Sequence, residues 1–337
     1  MKKLVSILLA LVLVISLATV AMAEETRYTP MEKVTITKNY QVAGVAGAKS
    51  PAETFVLTQT AKSFKADSNP DLTQDDVKDL VKVTGKDYVA EFTYAEGDAG
   101  SASKTQTYDI QLPVYDKLGI YEYTLTETNS NTAGVSYRTG TIKLVVTVIM
   151  QDNGKIRVAA VHTESEGDKS GEFDNTYTAG SLKVSKEVQG LFGDTDKDFS
   201  FTVKFTQPDG KTAKSTIDCG NNETISFVNG VATKTFTLKS GDDITFTNIP
   251  KDCTYEVTET SYASEGYKTY VGTVDETEER EATGTIGSTE ATAAFINVKG
   301  GTVDTGITLD SLPFILILAV CAAAAVVFVI KRRSVEF

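Results

Sequence analysis

Two lysines stand where a β-domain can least accommodate them. Read as a strand, Ser181–Val188 sends alternate side chains to one face, which groups Leu182, Val184, Lys186 and Val188. The same alternation in Lys33–Tyr40 groups Val34, Ile36, Lys38 and Tyr40. An ammonium in an apolar row is costly unless it is paired or neutralised. Later in each half an inward carboxylate follows: Tyr121, Tyr123, Leu125 and Glu127 share one face, as do Cys253, Tyr255, Val257 and Glu259. Each half then closes on an inward carboxamide, Asn175 alternating with Phe173 and Asn297 alternating with Phe295.

The order Lys, Glu, Asn therefore occurs twice, and these types together permit an intramolecular amide bond. Burial lowers the lysine pKa and leaves a neutral amine, while it raises the glutamate pKa and leaves a carboxylic acid. The amine attacks the carboxamide carbon, the acid shuttles protons, and ammonia leaves. A neutral amide also removes the buried charge. An inward lysine can instead snorkel at a strand end, and an asparagine can serve a turn. Two ordered copies favour the chemical reading.

The elements that must hold these residues are strands. From about Met31 to Thr178 the chain runs in alternating segments rich in Thr, Val, Tyr and Phe: Tyr88–Tyr94, Tyr108–Leu112, Tyr121–Glu127, Thr141–Met150 and Lys155–Val161. Asp152-Asn153-Gly154 is a hairpin signal between the last two. Gln74–Val81 is expected as a helix, with Thr73 as N-cap and Asp76 three residues on. Ala179-Gly180 reads as a short joint. Beyond it, Phe199–Thr206, Thr224–Val228, Val231–Leu238, Asp243–Ile249, Thr254–Thr260 and Ala291–Val298 repeat the pattern up to Lys299. Short strands broken by regular turn signals predict an all-β chain of two tandem immunoglobulin-like β-sandwiches, residues 31–178 and 181–299.

Both termini carry targeting signals. Lys2 and Lys3 precede an apolar run from Leu4 to Val20, and Ala21-Met22-Ala23 supplies small residues for cleavage, so residues 1–23 are expected as a signal peptide. Leu312–Ile330 is uncharged and long enough to cross a bilayer, and the basic tail of residues 331–337 holds the far end in the cytoplasm.

A net charge of −12 argues against nucleic acid and fits a soluble surface domain. Three cysteines, with Cys321 inside the apolar span, make no disulfide framework, and Cys219 and Cys253 could pair or stay free. Asp194, Asp196 and Asp198 have the opening rhythm of a calcium loop, but Phe199 and Phe205 stand where Gly and Glu are required, so no metal site is expected. His162 has no nucleophile or metal cluster around it, and no cofactor motif is present.

The ordered motifs resemble the Gram-positive, streptococcal-type major pilin backbone family, with its isopeptide-linked collagen-adhesin B-type (CnaB) domains. The resemblance rests on Thr-Ile-Thr-Lys-Asn-Tyr, Tyr-Thr-Leu-Thr-Glu and Phe-Asp-Asn-Thr-Tyr in residues 31–178. In residues 181–299 it rests on Leu-Lys-Val-Ser-Lys-Glu-Val, Tyr-Glu-Val-Thr-Glu-Thr and Phe-Ile-Asn-Val. It implies isopeptide bonds Lys38–Asn175 with Glu127 as the acid, and Lys186–Asn297 with Glu259.

Thr302-Val303-Asp304-Thr305-Gly306, ahead of the span, resembles a sortase sorting signal of Leu-Pro-x-Thr-Gly type, with Val303 where the family has proline. Cleavage would fall between Thr305 and Gly306. In the family the lysine that accepts the next subunit lies shortly before the bonding asparagine, which makes Lys169 the candidate, with Lys155 and Lys143 behind it. The expectation is a structural, non-enzymatic subunit of a pilus shaft, anchored to the cell wall at the cell surface. Its expected partners are sortase, neighbouring pilin subunits, peptidoglycan and host surface ligands. A wall-anchored adhesin or stalk with the same domains is the alternative, and a surface enzyme is a third and weaker one.

Overall fold

The structure is a computed structural model that describes residues 31–81, 89–100, 102–165, 168–169, 172–274 and 277–300. The signal peptide (1–23), sorting motif (302–306), apolar span (312–330) and basic tail (331–337) expected from sequence lie outside the described residues.

The chain is all-β. The first ten strands are β1 (Lys33–Gly44), β2 (Glu53–Phe64), β3 (Ala90–Tyr94), β4 (Lys104–Gln111), β5 (Gly119–Glu127), β6 (Val135–Ser136), β7 (Ile142–Met150), β8 (Ile156–Ser165), β9 (Asp168–Lys169) and β10 (Glu172–Gln189). The rest are β11 (Phe199–Thr206), β12 (Thr216–Asp218), β13 (Thr224–Ser226), β14 (Val231–Leu238), β15 (Asp243–Pro250), β16 (Thr254–Glu259), β17 (Lys268–Val271), β18 (Glu281–Thr285) and β19 (Glu290–Val298).

A nine-stranded sheet runs through the whole described structure in the order β13-β12-β15-β10-β1-β4, with β19 and β6 also on β10 and β17 on β19. A six-stranded sheet, β3-β2-β5-β7-β8-β9, accompanies its first half, and a four-stranded sheet, β14-β11-β16-β18, its second. Alternating apolar residues fill two separate cores. One gathers Ile36, Tyr40, Phe55, Tyr123 and Phe173; the other gathers Leu182, Val184, Phe201, Phe246 and Phe295. We call the surrounding structure the first and second lobes.

The joint expected at Ala179-Gly180 lies inside β10, which crosses from one core to the other as a single 18-residue strand. Gly180 is required there for close approach: a Cβ would sit 2.5 Å from the Gly287 carbonyl oxygen and 2.7 Å from Ile286 Cγ2. Side bonds reinforce the crossing. Lys251 N donates to Thr178 O (3.0 Å), Ala133 N to Thr212 O (2.9 Å) and Lys49 N to Asn248 Oδ1 (3.0 Å). Lys214 of the second lobe also pairs with Glu53 of the first at 3.2 Å.

The helix expected over Gln74–Val81 is a single 3-10 turn, Gln74–Asp76. Its start signal is real, since Asp76 Oδ2 accepts from both Thr73 N (2.8 Å) and Thr73 Oγ1 (2.6 Å). The backbone then leaves the helix because better partners are close. Leu80 N donates to Gln59 Oε1 (2.8 Å), Val81 N donates to Gln111 O (3.1 Å), and Val77 and Leu80 are buried. The Asp152-Asn153-Gly154 signal does close the β7–β8 hairpin, with Gly154 at φ 76°.

Candidate functional site

β1 and β10 pair in parallel, with Lys38 opposite Phe173 and Tyr40 opposite Asn175. β10 and β19 repeat the arrangement, with Lys186 opposite Phe295 and Val188 opposite Asn297. In both pairs the lysine is therefore diagonal to an asparagine two residues beyond its direct partner, on the same face. The glutamate comes from the other sheet of each lobe, Glu127 at the end of β5 and Glu259 at the end of β16. All six side chains belong to residues no more than 5 % exposed.

In the first lobe Lys38 Nζ donates to Glu127 Oε2 at 2.5 Å and also contacts Asn175 Oδ1. Asn175 Nδ2 donates to Glu127 Oε1 (2.7 Å) and to the carbonyl of Ser136 (2.9 Å). The backbone N–H of Arg138 donates to the same Glu127 oxygen at 3.1 Å. In the second lobe Lys186 Nζ lies 3.2 Å and 2.9 Å from the two oxygens of Glu259, whose Oε1 accepts from Asn297 Nδ2 at 2.5 Å. Asn297 Oδ1 is buried and has no hydrogen-bond partner among the described residues.

Burial dominates the electrostatics. Removal of water pushes the Lys38 amine below the ordinary lysine range, against the opposing pull of Glu127. The same cause lowers Lys186 to about 8 and raises the Glu259 carboxyl. A single proton shared between amine and carboxyl suits the pair, and the carboxamide lies beside both.

Sequence reading missed the aromatic floor of each site. Lys38 Nζ is 4.5 Å from the Phe55 ring centroid and Lys186 Nζ is 4.5 Å from that of Phe199. The two rings occupy equivalent places: Leu57 pairs with Glu127 and Phe201 with Glu259, and the aromatic lies two residues earlier on the same strand. Inward alternation on β2 and β11 was the available signal. The Ser136 carbonyl left no trace in the side-chain pattern.

The remaining sequence candidates lie elsewhere. Lys169 is exposed on β9, opposite Glu164. Lys155 is exposed at the β7–β8 hairpin, and Lys143 lies 3.6 Å from Glu122. Thr305 and Gly306 are outside the described residues. Cys219 and Cys253 are separate buried thiols, pushed up by burial to about 11 and about 12. In the Asp194–Asp198 loop, Asp194 Oδ1 accepts from Asp196 N (3.0 Å) and Lys197 pairs with Glu265 (3.1 Å). No group of residues among those described is suited to a metal ion. His162 Nε2 lies 2.8 Å from Glu164 Oε1, away from both triads.

Comparison with known proteins bears on this arrangement. Residues 34–178 match the family described as Spy0128-like isopeptide containing domain, and residues 180–299 match a domain of unknown function (DUF7601). Over 323 residues the chain is 29% identical to a protein named Pilin from Streptococcus pyogenes serotype M1, covering 90% of this chain and 91% of that one. A crystal structure of the major pilin from Streptococcus pyogenes superposes with a TM-score of 0.53 at 26% identity, over 80% of this chain and 99% of that one. A shorter likeness, 30% over 129 residues, links 38% of this chain to 18% of the Streptococcus pyogenes pilus tip adhesin Cpa. Residues 34–178 carry the Spy0128-like isopeptide containing domain, and the chain is similar to Streptococcus pyogenes pilins over most of its length.

Proposed function

We propose that this protein is the shaft subunit of a cell-surface pilus, stiffened by two self-formed isopeptide bonds, Lys38–Asn175 and Lys186–Asn297. The observation that carries the reading is the repeated register: a buried lysine diagonal to a buried asparagine on the neighbouring parallel strand, with a carboxylate from the opposite sheet touching both.

Each reaction balances within the chain. The free amine of the lysine attacks Cγ of the asparagine while Glu127 or Glu259, in contact with both groups, passes a proton to the carboxamide. A C–N bond forms to the lysine, the bond to Nδ2 breaks, and Nδ2 leaves as ammonia. The glutamate then recovers its starting protonation. Each bond ties strands more than a hundred residues apart in sequence, worth about 4–5 kcal/mol of loop entropy in a model-dependent account. Unlike a disulfide it resists reduction.

In the same reading a sortase nucleophile attacks the Thr305 carbonyl and Gly306 leaves as a free amine. Lys169 of a neighbouring subunit then takes the acyl group and frees the sortase, and the last subunit is passed to peptidoglycan. The secreted precursor is held by the span at residues 312–330 until that cleavage. The test is the full chain expressed with its sortase. The expected result is a ladder of high-mass species that survives boiling in detergent, lost in Lys169→Ala. A single wall-bound band would favour a non-polymerising adhesin or stalk instead.

A further inference from the structure

A cleft of about 390 Å³ opens between the two lobes. Ser136, Tyr137 and Thr139 line it from the first lobe, and Lys211 and Lys251 from the second, with Thr178 of β10 between them. We propose that this cleft is the docking groove for Thr302–Thr305 of a neighbouring copy of the chain, which it presents to Lys169. The inference rests on the polymerisation reading above and says where the incoming segment binds.

Three observations carry it. The first is position. Arg138, between the lining residues Tyr137 and Thr139, donates from Nη2 to Ser165 Oγ, and Ser165 pairs with Asp168, the residue before Lys169. The strand that carries the candidate acceptor is thus tied, through Arg138, to the segment that lines the cleft.

The second is charge. Neither Lys211 nor Lys251 makes an ion pair among the described residues, and Asp252 is the one acid lining the cleft. A segment reading Thr-Val-Asp-Thr brings a single carboxylate, Asp304, to two such ammonium groups. Pairing across a partly enclosed surface favours register and on-rate more than raw affinity.

The third is reach, which identifies the occupant as a second copy. The described chain ends beside Gln189, whose carbonyl accepts from Lys299 N at 3.0 Å. From Thr178 to Gln189 an extended strand covers about 36 Å. The six residues from Lys299 to Thr305 span at most about 20 Å. A subunit's own segment therefore falls short of its own cleft, and only a neighbour's can fill it. Such a contact joins different surfaces of identical subunits, which is the geometry that propagates an open filament.

The experiment uses the full chain with its sortase, comparing wild type with the double variant Lys211→Glu, Lys251→Glu. Precursor cleavage at Thr305 should continue and product should still reach the wall. The detergent-resistant ladder should fall at least tenfold, while intact mass still records the loss of two ammonias and so a folded protein. A ladder equal to wild type overturns the proposal. Should the charge reversal cost an ammonia, Lys211→Gln, Lys251→Gln is read in its place by the same two outcomes. In parallel, a dye-labelled Gly-Thr-Val-Asp-Thr peptide is titrated against the detergent-solubilised full chain. Binding should weaken at least tenfold in the double variant, and equal binding overturns the docking site. Absence of a ladder from the wild type sinks the polymerisation reading instead, and peptide binding then decides whether the groove exists without it.

Discussion

Asn175 and Lys186 sit on one uninterrupted strand, β10, the first facing one core and the second facing the other. If both isopeptide bonds form, the covalent route through the molecule runs from Lys38 to Asn175, along a short piece of β10, and from Lys186 to Asn297. Tension entering at one end and leaving at the other then bypasses both lobes, and the only chain that carries it is already extended and paired on both sides.

That route predicts a mechanical result. A molecule pulled between residues 31 and 299 should show no stepwise lengthening of either lobe at forces that unfold ordinary β-sandwiches. Lys186→Ala should release the second lobe as one step of about 370 Å of chain. Single-molecule force spectroscopy reads both. A wild-type step of that size would mean that tension is not carried by the cross-link.

The chemistry predicts a bell-shaped dependence on pH at the second site. The reacting form of the pair holds one proton, as a carboxylic acid beside a free amine. Burial lowers Lys186 to about 8 and raises Glu259, so the pair loses its last proton above about pH 8 and takes up a second below the raised carboxyl value. Refolding Lys38→Ala protein isolates this site, and ammonia loss followed by mass should slow about tenfold per pH unit above pH 8. A rate that keeps climbing to pH 10 would show that the acid is not needed. Glu259→Gln should abolish the reaction at every pH.

How much of this could be read from the chain follows from the physics of strands. Period-two alternation marks which residues point inward, so Lys38, Glu127, Asn175, Lys186, Glu259 and Asn297 stand out as polar groups in apolar rows. The β10 crossing could not be read. Ala179-Gly180 looks like a turn signal, yet the glycine is there for the close approach of the Gly287 backbone and the Ile286 side chain. The helix at Gln74–Val81 failed for a related reason: local capping was right, but pairing to Gln59 and Gln111, distant in sequence, outweighed it. The Ser136 carbonyl belongs to the backbone and leaves no mark in a pattern of side chains.

The crossing makes its own prediction. Gly180→Val should destabilise the protein by about 1–3 kcal/mol, because the atom its Cβ meets at 2.5 Å is a backbone oxygen that cannot swing aside. Thermal unfolding of the variant should start well below wild type. An unchanged melt would mean that the lobes can part at Gly180 without cost.

The two cysteines give a simple check on the second core. Their thiols are buried and pushed up to about 11 and about 12, so a thiol reagent at pH 7 should label neither in the native protein and both after denaturation. Rapid native labelling of Cys253 would contradict the packing described.

The central claim is that two buried lysines have each condensed with an asparagine. Intact-mass spectrometry of the secreted protein tests it most directly. The account predicts a mass lower than the sequence by two ammonias in the wild type, by one in Lys38→Ala and one in Lys186→Ala, and by none in the double variant. A wild-type mass equal to the unmodified sequence would contradict it.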